Sequence, residues 1–235
     1  MTESFITLQT PDGPMEVFVA DPGKGGAGLL VIQEAFGVND HIQDICRRLA
    51  AAGFLAVAPD LFHRSGRHLT FGYDEFEKLF PIFAALTNES LETDMRAALD
   101  WTRDKATRVG VVGFCMGGFS AFLAACRLPV DSAVCYYGGG IVNGRPGLGL
   151  RPLLAEAKGL RCPVLLFFGG LDKHIPLSDA QAIDETLTRL GKPHEVAVYD
   201  DADHGFNCDR RASYHAPSAA DAWQRTLEWF GRTLA

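Results

Sequence analysis

Val109-Gly110-Val111-Val112-Gly113-Phe114-Cys115-Met116-Gly117-Gly118-Phe119-Ser120-Ala121-Phe122-Leu123-Ala124-Ala125 decides the reading of this chain. A β-branched apolar run passes directly into Gly-x-Cys-x-Gly-Gly and then into a small, apolar segment, so the stretch reads as strand, tight turn and helix. It is the Gly-x-Ser-x-Gly pattern with cysteine in place of serine. Glycines two before and two after Cys115 keep Cβ atoms out of a crowded elbow, and the thiol projects from the N-terminus of the helix. There the helix dipole favours thiolate, and the Met116 backbone N–H is left to donate to a developing oxyanion. Taken as an isolated pentapeptide, the segment reads equally as a glycine-rich helix start with a structural cysteine. The strand before it and the helix after it weigh against that.

Outward from the elbow the same alternation continues. Apolar runs predict strands at about 3–9, 14–20, 28–33, 54–58, 109–114, 131–137, 163–169 and 194–200, and helical periodicity predicts helices at about 39–52, 89–104, 117–127, 177–191 and 217–233. The first two strands flank Thr10-Pro11-Asp12-Gly13-Pro14, a hairpin signal. From the third strand onward helices intervene, which is the mark of a largely parallel sheet covered on both faces. The expectation is one α/β domain over residues 1–235, with a mostly parallel central sheet of about eight strands. Two insertions, 59–88 and 138–160, break the rhythm at the edge where parallel sheets carry their binding groups.

Composition bounds the function. The chain has 235 residues, 47% hydrophobic and 22% charged, with 22 Lys+Arg against 29 Asp+Glu and a net charge of −7. That balance, without a basic run, argues against nucleic acid or an anionic membrane as partner. No apolar stretch approaches the roughly 18 residues that span a bilayer, and Met1-Thr2-Glu3-Ser4-Phe5 lacks a signal-peptide pattern, so the cytoplasm is expected. Six cysteines stand singly at 46, 115, 126, 135, 162 and 208, with no Cys-x-x-Cys, so neither a metal site nor a redox dithiol is written in their spacing. No cofactor is expected.

A thiol nucleophile needs a base, and the base an orienting acid. The run Pro163–Phe168 leads into Gly169-Gly170-Leu171-Asp172, and the run His194–Tyr199 leads into Asp200-Asp201-Ala202-Asp203-His204. Asp172 and His204 therefore stand at strand ends on the sheet edge that carries Cys115, in the chain order nucleophile, acid, base. His174 competes as base, and Asp203 or Asp201 as acid. The third strand ends in Gln33-Glu34-Ala35-Phe36-Gly37, and the turn there is expected to supply a second oxyanion N–H, from Ala35. Glu34 is unexpected beside an oxyanion site, because its charge would repel the intermediate.

These residues together resemble the dienelactone hydrolase (carboxymethylenebutenolidase) family of α/β-hydrolases. The resemblance rests on Gln33-Glu34-Ala35-Phe36-Gly37, Pro59-Asp60-Leu61, the Cys115 elbow, Tyr136-Tyr137-Gly138, Gly170-x-Asp172 and His204-Gly205-Phe206, and covers nearly the whole chain. It implies an α/β-hydrolase fold and a Cys115–His204–Asp172 triad that opens a small-molecule lactone or ester through a thioester. It also implies a role for Glu34: displaced from an arginine by substrate, it takes the thiol proton. Phe36, Tyr136, Tyr137 and Arg64 are expected near the substrate, and the enzyme is expected to be a monomer or homodimer. The family's bacterial members hold a substrate carboxylate with two arginines, one of them four residues past the histidine; here that position is Cys208, with Arg210 and Arg211 following. Two other readings remain open: a binding protein that keeps the elbow without turnover, and a thiol redox sensor in which Cys208 resolves Cys115.

Overall fold

A computed structural model describes residues 1–235. The expected strands form as β1 (Thr2–Thr10), β2 (Gly13–Asp21), β3 (Gly28–Ile32), β4 (Leu55–Pro59), β5 (Val109–Phe114), β6 (Ser132–Tyr136), β7 (Val164–Gly169) and β8 (His194–Tyr199). They make one sheet in the order β1-β2-β4-β3-β5-β6-β7-β8, with β1, β2 and β4 paired antiparallel and the rest parallel. Strands β3 to β7 are buried at every residue, which is why they read as continuous apolar runs rather than alternating ones. The hairpin β1–β2 forms one edge, and β1 is largely exposed.

The helices are α1 (Asp40–Ala51), α2 (Phe76–Phe83), α3 (Asn88–Arg103), α4 (Met116–Arg127), α5 (Leu177–Arg189) and α6 (Ala216–Thr233). Local chemistry fixes their starts. The Asn39 side chain accepts from the Ile42 N–H at 3.2 Å to cap α1, and Thr87 and Ser90 cap α3 reciprocally. Right-handed crossovers put α1, which steps from β3 to β4, on the face opposite α3, α4 and α5, which step the other way. Helix α6 joins α1, and the Arg48 guanidinium stacks 3.8 Å from the Trp223 ring centroid between them. The chain changes direction across the sheet at β3, so the C-terminal ends of β3 and β5 face a topological switch point, where open α/β sheets bind ligands.

Helix α2, inside the first insertion, has no counterpart in the sequence reading. Phe76, Leu79, Phe80 and Phe83 do fall on one helical face, but eight residues with Pro81 inside are too short for that spacing to stand out from the surrounding loop. The second insertion likewise holds two 3₁₀ turns, at Pro146–Leu148 and Leu154–Gly159. No helix is long and apolar enough to cross a membrane.

Two glycines let α4 approach the sheet. A Cβ on Gly117 would lie 2.6 Å from the Gln33 carbonyl oxygen and closer still to that of Ile32, while one on Gly113 would collide with the Gly117 backbone. Gly231, in α6, faces open space. Gly117→Ala should therefore destabilise the protein by about 1–3 kcal/mol or more through backbone displacement. Gly231→Ala should stabilise it by about 0.5–1 kcal/mol through helix propensity. Urea unfolding of the two variants checks the contrast; a neutral Gly117→Ala would show that α4 does not depend on this close approach.

Candidate active site

Cys115 sits between β5 and α4 with φ 55° and ψ −114°, a conformation costly for a residue with a Cβ. Its N–H donates to the Tyr136 carbonyl oxygen at 3.0 Å and its carbonyl accepts from Phe119 N–H at 3.2 Å, so neighbouring backbone holds the strained turn. The sulfur is half-buried, whereas the other five cysteines are buried. Cys208, the resolving thiol of the redox reading, lies with its sulfur 3.1 Å from Tyr73 Oη.

The ends of β7 and β8 bring the partners. His204 Nε2 is 3.1 Å from Cys115 Sγ, and His204 Nδ1 is 2.7 Å from Asp172 Oδ2. The other Asp172 oxygen accepts from the His174 and Ile175 N–H groups at 2.7 and 3.2 Å, which fixes the carboxylate. Burial would raise the Asp172 pKa, but hydrogen bonding and attraction to His204 hold it below the usual carboxylate value. Burial would likewise lower the His204 pKa. The Cys115 sulfur and Asp172 overcome that and raise it to about 10. Neither competitor takes the place of acid or base: Asp203 accepts from the His204 backbone N–H at 2.6 Å, and the His174 ring packs edge-on against His204 in the same cavity, with centroids 5.5 Å apart, while His204 alone bonds the Cys115 sulfur.

Ala35 follows β3, and Met116 opens α4. Neither backbone N–H donates to a carbonyl or side chain, and both residues line the cavity that holds Cys115 and His204. This cavity, about 210 Å³, has apolar walls that include Phe36, Phe76, Phe83 and Leu150, and three basic groups, Arg145, His174 and Arg211. Arg145 Nη2 donates to the His174 carbonyl oxygen at 3.0 Å. A larger cavity of about 440 Å³, walled by Glu16, Asp60 and His68, lies under the first insertion and contains none of these groups.

Glu34 is 1% exposed behind the elbow. Its Oε1 accepts from Arg211 Nη1 and from Tyr137 Oη, each at 3.4 Å, and its Oε2 has no partner. Arg211 reaches it because Gly205, at φ 79°, has no Cβ to obstruct the guanidinium. Proximity to Glu34 outweighs burial and raises the Arg211 pKa further.

Three expected substrate neighbours stand elsewhere. Arg64 does not reach the cavity: Asp94 Oδ2 and Asp12 Oδ2, each 2.6 Å from the guanidinium, hold it against α3 and the β1–β2 turn. Tyr136 is fully buried in the core, its hydroxyl 2.7 Å from Thr226 Oγ1, because the last residue of a central strand faces α6. Tyr137 turns instead behind Glu34 and packs on His204, with ring centroids 5.2 Å apart. Phe36 does line the cavity. Arg145 and the aromatic residues of α2 were not singled out from sequence, since no motif marks them and only the folding back of two insertions brings them to Cys115.

The model of the dienelactone hydrolase family matches residues 15–234. The carboxymethylenebutenolidase of Pseudomonas putida is 32% identical over 232 residues, covering 95% of this chain and 94% of that protein. A protein of Escherichia coli K12 named "putative carboxymethylenebutenolidase" is 36% identical over 238 residues, covering 96% and 85%. The crystal structure of a "putative dienelactone hydrolase" from Klebsiella pneumoniae superposes with a TM-score of 0.90 at 33% identity, covering 98% of each chain. The chain therefore belongs to the dienelactone hydrolase family, and is a hydrolase built on the α/β-hydrolase fold.

Proposed function

We propose that this protein hydrolyses a small lactone or ester through a thioester formed on Cys115. The observation that carries the reading is the single line Cys115 Sγ, His204 Nε2, His204 Nδ1 and Asp172 Oδ2, with contacts of 3.1 and 2.7 Å at a strained elbow. The thiolate attacks the acyl carbon, and the oxyanion that forms accepts from the Ala35 and Met116 N–H groups. Each such donor is worth about 2.7–4 kcal/mol of barrier. Collapse releases the alcohol or opens the ring, and water activated by His204 then cleaves the thioester. Asp172 holds the imidazole in its tautomer and stabilises the imidazolium. In chains whose Cys115 rests as the neutral thiol rather than as the thiolate of the His204 ion pair, Glu34 takes the thiol proton once an incoming anionic group draws Arg211 away from it. The long 3.4 Å contact and the unpartnered Oε2 support a carboxylate poised to move.

Initial rates with a carboxylate-bearing dienelactone and with a neutral aryl ester, under reducing conditions, test the reading. Cys115→Ala should lose turnover on both. Asp172→Asn should lower kcat by about 10²–10⁴-fold with native folding, while Asp203→Asn should change it by no more than a few-fold. Full activity in Cys115→Ala, or the reverse order of the two aspartate variants, would overturn the assignment.

The charged imidazole also makes stability depend on pH. His204 binds its proton more tightly in the folded chain than in the unfolded one, so the resulting stabilisation is complete below about pH 6.5, the ordinary histidine value. It is lost as pH rises through about 10. The melting temperature of the wild type should therefore fall relative to that of His204→Gln between pH 7 and 10. Parallel curves over that range would mean that His204 carries no such charge.

A further inference from the structure

Behind the Arg211 side of the site three buried side chains from distant parts of the chain converge. Glu34 follows β3, His41 lies in the first turn of α1, and Cys208 follows the β8 loop; they are 1%, 4% and 0% exposed. One ligand atom from each, a carboxylate oxygen, a ring nitrogen and the sulfur, lies within 4.8 Å of the other two. Two of these residues also carry a buried polar atom with no partner, Glu34 Oε2 and His41 Nε2. Such orphans are expensive inside a protein and point to something that satisfies them.

We propose that Glu34, His41 and Cys208 form a binding site for a zinc-like divalent transition-metal ion, distinct from the Cys115–His204 pair. The donor set decides the class of ion. Thiolate, imidazole and carboxylate together suit zinc, whereas magnesium and calcium take oxygen ligands. At bond lengths of about 2.0–2.3 Å, tetrahedral ligand atoms stand roughly 3.3–3.8 Å apart. Binding therefore closes the present spacing of up to 4.8 Å by no more than about 1.5 Å, within the reach of side-chain torsions. One water completes the tetrahedron. One carboxylate and one thiolate offset the dication, and the Arg211 guanidinium beside Glu34 leaves the cluster with one positive charge.

Burial holds the His41 imidazole below its ordinary pKa, leaving a neutral ring with a lone pair to give. Burial and Glu34 push the Cys208 thiol up to about 11, so ligation displaces its proton to solvent as the sulfur–metal bond forms. Residues at 34, 41 and 208 follow no zinc-ligand spacing, so only the folded chain assembles the set. The ion would also hold Glu34 away from the thiol proton and suppress turnover. That consequence, unlike binding itself, rests on the role proposed for Glu34 above.

Cobalt(II) is the probe, because thiolate ligation gives a near-ultraviolet charge-transfer band and tetrahedral geometry gives intense visible bands. The titration is made on Cys115→Ala, which removes the competing thiol. One ion per chain should bind with both signatures. The charge-transfer band should vanish on adding Cys208→Ser, and affinity should fall at least tenfold on adding His41→Gln, an independent arm should the Cys208→Ser protein fold poorly. Absence of stoichiometric binding to Cys115→Ala would overturn the site and leave the orphan atoms to a buried water. A charge-transfer band that survives Cys208→Ser, or affinity unmoved by His41→Gln, would equally overturn it. If binding behaves as expected but saturating zinc leaves wild-type hydrolysis unchanged, the site stands and the proton-accepting role of Glu34 falls.

Discussion

The close approach of α4 to the sheet is the constraint on which the site depends. Gly113 and Gly117 let backbone meet backbone where a Cβ would collide, and the turn between them forces Cys115 to φ 55°. A β-strand that runs straight into a helix has no slack to relieve such strain, so the rest of the fold holds it through the Tyr136 carbonyl and the fully buried strands β3, β5 and β6. What the strain secures is position. The sulfur is presented at the head of α4, with the end of β3 on one side and the ends of β7 and β8 on the other.

Around that fixed point the electrostatics divide into two parts. On one side His204 and Asp172 form a short, well-aligned pair, with the second carboxylate oxygen pinned by two backbone N–H groups. On the other, Glu34 and Arg211 form a buried pair with 1% and 15% side-chain exposure and a longer contact of 3.4 Å. A buried pair of this kind recovers its desolvation cost only with good geometry, and this one leaves a carboxylate oxygen without a donor. The rigid half suits an imidazole held in one orientation and tautomer, and the loose half suits a group that changes partner or takes a further ligand.

Much of this was legible in the chain before folding. Strand order apart, the alternation of apolar runs and helical segments gave the mostly parallel sheet and its covered faces, because burial on both faces leaves an unmistakable uninterrupted apolar run. The short helix α2 escaped, since eight residues with an internal proline fall below the length at which a helical period can be told from a loop. Arg64 looked like a pocket cation because an arginine in a long connection is often free to reach substrate; Asp94 and Asp12, from α3 and the first hairpin, claim it instead. Arg211 stands three residues past the position where the family motif has an arginine, and its contact with Glu34 depends on the turn at Gly205.

The sequence by itself determined which residues stand at the C-terminal ends of which strands, and so brought Cys115, Asp172, His204, Glu34 and Ala35 to one edge. Strand ends are a local property, set by where an apolar run meets glycine or a polar cluster. Only the tertiary structure decided which cations face the cavity, where Tyr136 and Tyr137 point, and that His41 and Cys208 meet Glu34. Those outcomes depend on how insertions fold back and on which acid reaches each base first, and such competition between distant segments has no signature along the chain.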